Sequence, residues 1–253
     1  MNHFLKYSLL LVAITCVAFI NPYHKMHVYL IGDSTMANKQ VRAYPETGWG
    51  MPFSNFFDTA TTVVYNLAQN GRSTRSFMEE NRWKPVMDSL QPGDIVLVQF
   101  GHNDEVPTKK TATTPQQFQS YLGKYVDDTR SKGGIPVLIT PVARRSFDSS
   151  GNLQDTHHEY SELVRKVASA KNVPLIELDR ESQALIKSFG VEHSKMLFNH
   201  LKEGEHPNYP KGNADNTHFS ELGARKVAEI VYADLRKINP GNIDSHFFIP
   251  AKK

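Results

Sequence analysis

Residues His27–Asn38 read "HVYLIGDSTMAN". Val28 to Ile31 form a short, continuous apolar run, the pattern of a β-strand covered on both faces. The Gly-Asp-Ser that follows reads as a strand-to-helix turn. Ser34 is open to two readings there: a polar turn residue, or a hydroxyl nucleophile presented at the carboxyl end of a strand.

Four more runs of this kind follow: "TVVYNL" from Thr62, "DIVLVQF" from Asp94, "IPVLIT" from Ile135 and "VPLIEL" from Val173. Between them lie helical patterns such as "PQQFQSYLGKYVDDTRSK" and "HHEYSELVRKVASAKN", the second with Leu163, Val164 and Val167 on one face. Strands alternating with helices predict an α/β fold, a five-stranded parallel sheet with helices on both sides. Ligands of such sheets bind beyond the carboxyl ends of the strands. Three runs end informatively there, in "GDST", "AQNGRS" and "GHND". Further on, Glu181 to Asn216 begins with helical spacing and turns loop-like at Gly204. Its Pro, Gly, Asn and His content predicts an ordered loop. A last amphipathic helix is expected, with Phe219, Leu222, Val227, Ile230, Val231 and Leu235 as its buried stripe.

The chain of 253 residues, 40% hydrophobic and 22% charged, has the composition of an ordinary soluble domain. A net charge of +3 without a basic block argues against nucleic acid as a partner. At the N-terminus, "MNHFLK" precedes an uncharged apolar run from Tyr7 to Ile20. It is shorter than the roughly 20 residues that span a bilayer, and reads as a secretory signal. Residues 1–20 are therefore expected to direct export, with cleavage near Ala18, an uncleaved anchor being the alternative. Residues 21–253 would form one extracytoplasmic domain with no other membrane partner. Cys16 is the single cysteine, so a chain cut at Ala18 has neither disulfide nor thiol nucleophile.

A serine hydroxyl is a weak nucleophile near neutral pH. It needs a base to take its proton and a third group to orient that base. "DNTHFSELGA" offers both types, with Asp215 and His218 three residues apart at the expected entrance to the last helix. His218 suits a general base, and Asp215 a group that fixes its tautomer. Alternatively, Asp215 or Thr217 caps the helix. Acyl transfer also needs donors aimed at the oxyanion. The Ser34 N–H, the Gly71 N–H and the Asn103 side-chain amide are candidates. Gly71 also fits a plain Asn-Gly turn.

"GDST", the Gly71 of "NGRS", "GHND" and "DNTH" occur in the order and spacing of the SGNH, or GDSL, hydrolase superfamily. The chain resembles that superfamily over nearly its whole length after the signal. "VYLIGDSTMA", "ETGWGMPF", "NLAQNGRSTRSF", "VLVQFGHNDE" and "HLKEGEHPNYPKGNADNTHFSELGA" look like the rhamnogalacturonan acetylesterases, the branch that removes acetyl groups from pectin backbones. The resemblance implies a flavodoxin-like three-layer α/β/α sandwich. It also implies a triad of Ser34, Asp215 and His218, an oxyanion hole from Ser34, Gly71 and Asn103, and an acetylated polysaccharide as substrate. No cofactor is expected, and the chain is expected to be a monomer. Ser34 lies in Gly-Asp-Ser-Thr-Met rather than Gly-x-Ser-x-Gly, which argues against the nucleophile elbow of the α/β-hydrolases. Alternatives are an esterase on another acetylated glycan such as xylan, a lipase or thioesterase, or a glycan-binding module without catalysis.

Other polar residues carry weaker signals. His157, His158 and Glu159 lack the second histidine of His-Glu-x-x-His and predict a solvated first helical turn. His193, His200 and His206 have no tight ligand spacing, so no metal is assigned. Arg72, Arg75 and His102 flank the proposed donors and could meet a uronate carboxylate; Trp49 could stack on a sugar. Alternatively, the arginines pair with internal carboxylates and Trp49 packs beneath the site. Asp33 is expected to bond backbone groups in its turn, with Asp104 and Glu105 as local structure.

Overall fold

All five apolar runs form strands, and they pair in one parallel sheet. A computed structural model describes residues 25–248. The apolar run read as an export signal lies outside the described residues. In chain order the elements are β1 (Met26–Gly32), α1 (Gly50–Phe53), β2 (Thr62–Asn66), α2 (Thr74–Glu79), α3 (Lys84–Ser89), β3 (Ile95–Gln99) and α4 (Pro115–Ser131). They continue with β4 (Ile135–Ile139), α5 (His158–Lys171), β5 (Leu175–Ile176), α6 (Leu178–His193), β6 (Phe198–Leu201), β7 (Asn213–Phe219) and α7 (Glu221–Ile238). Short 3-10 turns fill several of the connections.

The sheet order is β2-β1-β3-β4-β5, every pair parallel. From β1 the chain goes to β2 on one side and then to β3 on the other. The connections therefore diverge between β1 and β3, where such sheets leave a crevice for ligand. Ser34 follows β1 and Asn103 follows β3, so both open onto it.

Side chains alternate across the strands with period two. Val28, Leu30, Ile95, Leu97, Val137 and Ile139 join a core with Phe53 of α1, Ile186 of α6 and Val227 and Val231 of α7. Tyr29, Ile31, Val96, Val98 and Leu138 join a second core with Phe77 of α2, Val86 of α3, Tyr125 of α4 and Val164 of α5. The sheet is thus the middle of three layers. Each fully buried Val, Leu, Ile or Phe contributes roughly 1.5–3 kcal/mol, which is why continuous apolar runs appear where one-sided strands would alternate. Local signals agree: Thr114 and Gln117 form a capping box before α4, and Asn172 ends α5 in the left-handed region at φ 49°.

The segment after β5 differs from the expected loop. β6 and β7 form a two-stranded antiparallel sheet, pairing Phe198 with Phe219 and Leu201 with Asn213. Most of β7 reads Asn-Ala-Asp-Asn-Thr-His, with no apolar alternation to announce a strand. Asp215 and His218 consequently sit on a strand rather than on the first turn of a helix. Ser220 caps α7, its hydroxyl accepting the Gly223 N–H at 3.2 Å. Val227, Val231 and Leu235 are buried as expected, but Leu222 is 36% exposed and Phe219 belongs to β7. The cause is Gly223: a Cβ there would lie 1.7 Å from the Leu197 carbonyl oxygen. The helix therefore packs its Gly223 and Ala224 side against the backbone and turns Leu222, about 100° away, outward.

Candidate active site

Ser34 is the only partly exposed residue between Ile31 and Ala37. Its turn is built by Asp33, whose Oδ1 accepts from Thr35 N at 2.9 Å and Thr35 Oγ1 at 2.8 Å, while its carbonyl accepts from the Ala37 N–H at 3.1 Å. Asp33 is wholly buried, and burial pushes its carboxyl above the ordinary value. This is the turn role expected for it. Below the turn a hydrogen-bonded chain runs from Trp49 Nε1 to Gln99 Oε1 at 2.6 Å, and from Gln99 Nε2 to Thr35 Oγ1 at 2.9 Å.

The hairpin of β6 and β7 brings His218 across to this turn. His218 Nε2 lies 2.9 Å from Ser34 Oγ, and Nδ1 lies 2.7 Å from Asp215 Oδ2. The other Asp215 oxygen accepts the backbone N–H groups of Thr217 and His218 at 2.7 and 2.9 Å. Burial works to raise the Asp215 pKa. The hydrogen bonds from the His218 ring, the His218 N–H and the Thr217 N–H outweigh it, and hold the group at about 2. An ionised carboxylate accepts only, so the His218 proton sits on Nδ1 and the bare Nε2 faces the serine hydroxyl. This arrangement can take a proton from Ser34.

Among the described residues, neither the Ser34 N–H nor the Gly71 N–H donates to a protein acceptor. Gly71 has φ +75°, and a Cβ built there would meet nothing within 4 Å. The glycine both adopts the turn and keeps that space clear. Asn103 is buried, with one Nδ2 hydrogen given to the Arg72 carbonyl at 2.9 Å and the other unclaimed.

The structure corrects two of the proposed sugar contacts, Trp49 and His102. Trp49 is fully buried, edge-on to Phe53, and offers no ring face to a sugar. His102 is buried, its Nε2 3.0 Å from the Val142 carbonyl, and burial holds its pKa well below the ordinary value, so it supplies no cation. Arg72 is tied to Glu80 at 2.9 Å and to the Asn70 carbonyl at 2.9 Å. Arg75 donates to the Lys110 carbonyl and lies 3.8 Å from Glu79. Both arginines thus make internal contacts while keeping part of the side chain exposed, 30% for Arg72 and 27% for Arg75.

His157 also departs from the solvated turn expected. It is buried, with Nδ1 2.8 Å from Glu105 Oε2. Glu105 Oε1 holds Arg144 at 3.1 Å, and Arg144 reaches Thr217 Oγ1 at 3.3 Å, between the two triad candidates on β7. A cleft of about 410 Å³ opens there, lined by Glu105, Val106, Pro107, Arg144, Thr156, His157, Glu159 and Tyr160. No local sequence pattern links these residues; the fold assembles them.

Asp104 ties the loops of the site together. It accepts from Thr74 N at 3.1 Å, Thr74 Oγ1 at 2.6 Å and Thr113 Oγ1 at 3.0 Å, with no cation among these partners. Desolvation outweighs these bonds and raises its pKa from 3.8 to about 7. The folded state then binds a proton that the unfolded state has released, so this group's contribution to stability declines as pH rises from about 4 to about 7. Asp104→Asn is expected to remove that decline. Thermal midpoints of both proteins across this range test it, and parallel curves would refute it.

The GDSL-like lipase/acylhydrolase family matches residues 30–226. The chain is 40% identical over 215 residues to the rhamnogalacturonan acetylesterase RhgT of Bacillus subtilis (strain 168), covering 84% of this chain and 90% of that one. It is 37% identical over 239 residues to a rhamnogalacturonan acetylesterase of Emericella nidulans, covering 86% and 88%. The crystal structure of Bacillus subtilis YxiM superposes with a TM-score of 0.73 at 25% identity, covering 86% of this chain and 58% of that one. The acetylxylan esterase Axe2 of Geobacillus stearothermophilus shares the fold, with a TM-score of 0.59 at 15% identity over 83% of this chain and 94% of that one. The chain thus belongs to the GDSL-like lipase/acylhydrolase family and is a serine-type carboxylic ester hydrolase.

Proposed function

We propose that this protein removes acetyl groups from the pectic polysaccharide rhamnogalacturonan through an acyl-enzyme on Ser34. The observation that carries the reading is the line from Ser34 Oγ through His218 to Asp215, at 2.9 and 2.7 Å, beside three unclaimed donors. Two relatives named rhamnogalacturonan acetylesterase support the substrate.

Ser34 Oγ attacks the acetyl carbonyl carbon as His218 Nε2 takes its proton. The carbonyl oxygen becomes an oxyanion, stabilised by the N–H groups of Ser34 and Gly71 and the free Asn103 hydrogen. His218, now an imidazolium held by Asp215, protonates the departing sugar oxygen. Water then gives a proton to His218 and its oxygen to the acyl carbon; the proton returns to Ser34 as acetate leaves. The cleft at Arg144 includes the charged and hydroxyl groups of Glu105, Arg144, Thr156 and Tyr160, which can hydrogen-bond a glycan. Export through the Tyr7–Ile20 run fits a polymer that stays outside the membrane.

Acetate release from acetylated pectin, xylan and mannan tests the proposal, assayed in medium and cell fractions. Pectin is expected to react fastest, with activity outside the cytoplasm. Faster release from xylan would reassign the substrate, and faster cleavage of long-chain esters would point to a lipase. Glycan binding without acetate release would leave a binding module.

A further inference from the structure

Lys39 is buried, and its ammonium touches three acceptors: the Ser34 carbonyl at 2.6 Å, Asn70 Oδ1 at 3.0 Å and Glu46 Oε1 at 2.6 Å. An ammonium has three hydrogens, so every one is used and none is left for a substrate. Burying such a charge is costly unless it is paired and hydrogen-bonded, and Glu46 supplies the counter-charge. The other two acceptors border the oxyanion donors. One is the carbonyl of Ser34 itself, and the other belongs to the residue before Gly71. Lys39 therefore bolts the turn after β1 to the turn after β2.

Asn103 is held by two further contacts. Lys109 Nζ donates to its Oδ1 at 2.6 Å, and its Nδ2 donates to the Arg72 carbonyl at 2.9 Å. An ammonium only donates and a carbonyl only accepts, so these partners together decide which way the amide faces. In the opposite orientation Oδ1 would point its lone pairs at a developing negative charge.

We propose that Lys39 and Lys109 are positioning residues of the oxyanion hole, Lys39 clamping the Ser34 turn to the Gly71 turn and Lys109 orienting the Asn103 amide. This rests on the reading of Ser34, Gly71 and Asn103 as the oxyanion donors. Neither lysine touches the reacting atoms. Donors converging on one oxygen lose their effect steeply with displacement: an error of about 1 Å can cost about 10²-fold in rate, and a lost donor about 10²–10³-fold.

Three variants test it with p-nitrophenyl acetate, a neutral ester whose KM does not report charge attraction. Lys109→Met changes an exposed residue. The double variant Lys39→Met with Glu46→Gln removes the buried charge and its counter-charge at once. Asn70→Ala cuts the clamp at its exposed end and decides the Lys39 role even if the double variant does not fold. In folded variants kcat is expected to fall about 10- to 100-fold with KM within about twofold. Affinity for a small alkylboronic acid, which sits on Ser34 as a tetrahedral adduct with an oxygen in the hole, should weaken by a similar factor. Folded variants with wild-type kcat and boronate affinity overturn the proposal, as does a loss confined to KM or to thermal stability. Wild-type turnover in a folded Ser34→Ala variant would instead overturn the assignment of Ser34 as nucleophile, on which the oxyanion-hole reading rests.

Discussion

Ser34→Ala is expected to lower hydrolysis of p-nitrophenyl acetate by about four to six orders of magnitude, equivalent to about 5–8 kcal/mol of transition-state stabilisation. The protein should remain folded. Among the described residues the Ser34 hydroxyl has one protein partner, His218 Nε2, so its removal leaves no buried donor unpaired. The turn is held by Asp33 and Thr35, which the substitution does not touch. Some catalysis should persist, because the oxyanion donors are intact and can still assist attack by water; such remnants amount to about 10³-fold over the uncatalysed reaction. Burst kinetics should vanish with the acyl-enzyme. A folded variant turning over at the wild-type rate would assign the nucleophile elsewhere.

Asp215→Asn is expected to lower turnover by about 10⁴-fold, close to 5 kcal/mol, with little change in fold. The variant keeps an acceptor for the Thr217 and His218 N–H groups. Its new NH₂ group, however, faces His218 Nδ1 and demands a lone pair there. The ring proton then moves to Nε2, where it blocks acceptance from Ser34. In the wild type, the Asp215 carboxyl is held at about 2. A value below the unfolded 3.8 means that its stabilising contribution is complete above that pH and is lost as pH falls toward 2. Asp215 therefore stays ionised across any ordinary assay range, and loss of activity above about pH 3 has another origin. The pH profile of kcat/KM for both proteins tests this. A variant within tenfold of wild type would show that Asp215 does not orient the base.

Some features lay in the order of residues because they depend on neighbours only. A continuous apolar run is unstable unless both faces are covered, so the five runs announced a central parallel sheet before any contact was known. Ser34, Gly71 and Asn103 each lie within a few residues of a strand end, and strand ends are where such sheets expose chemistry. Polar β7 was hidden for the converse reason. It pairs with β6 through backbone bonds and carries the Asp215 carboxylate and the His218 imidazole on a strand that lacks apolar alternation.

The sequence alone determined which residue types reach the carboxyl edge of the sheet, since strand period and turn chemistry act over short distances. Only the tertiary structure decided how they are paired and covered. Ser34 and His218 are 184 residues apart, and Lys39 and Asn70 are 31 apart. Local sequence left Trp49 open to a sugar contact or to packing beneath the site, and distant segments bury both it and His102, as they bury His157 against a glutamate 52 positions earlier. Burial and ion pairing depend on what the rest of the chain packs against a group, and a local pattern carries no record of that.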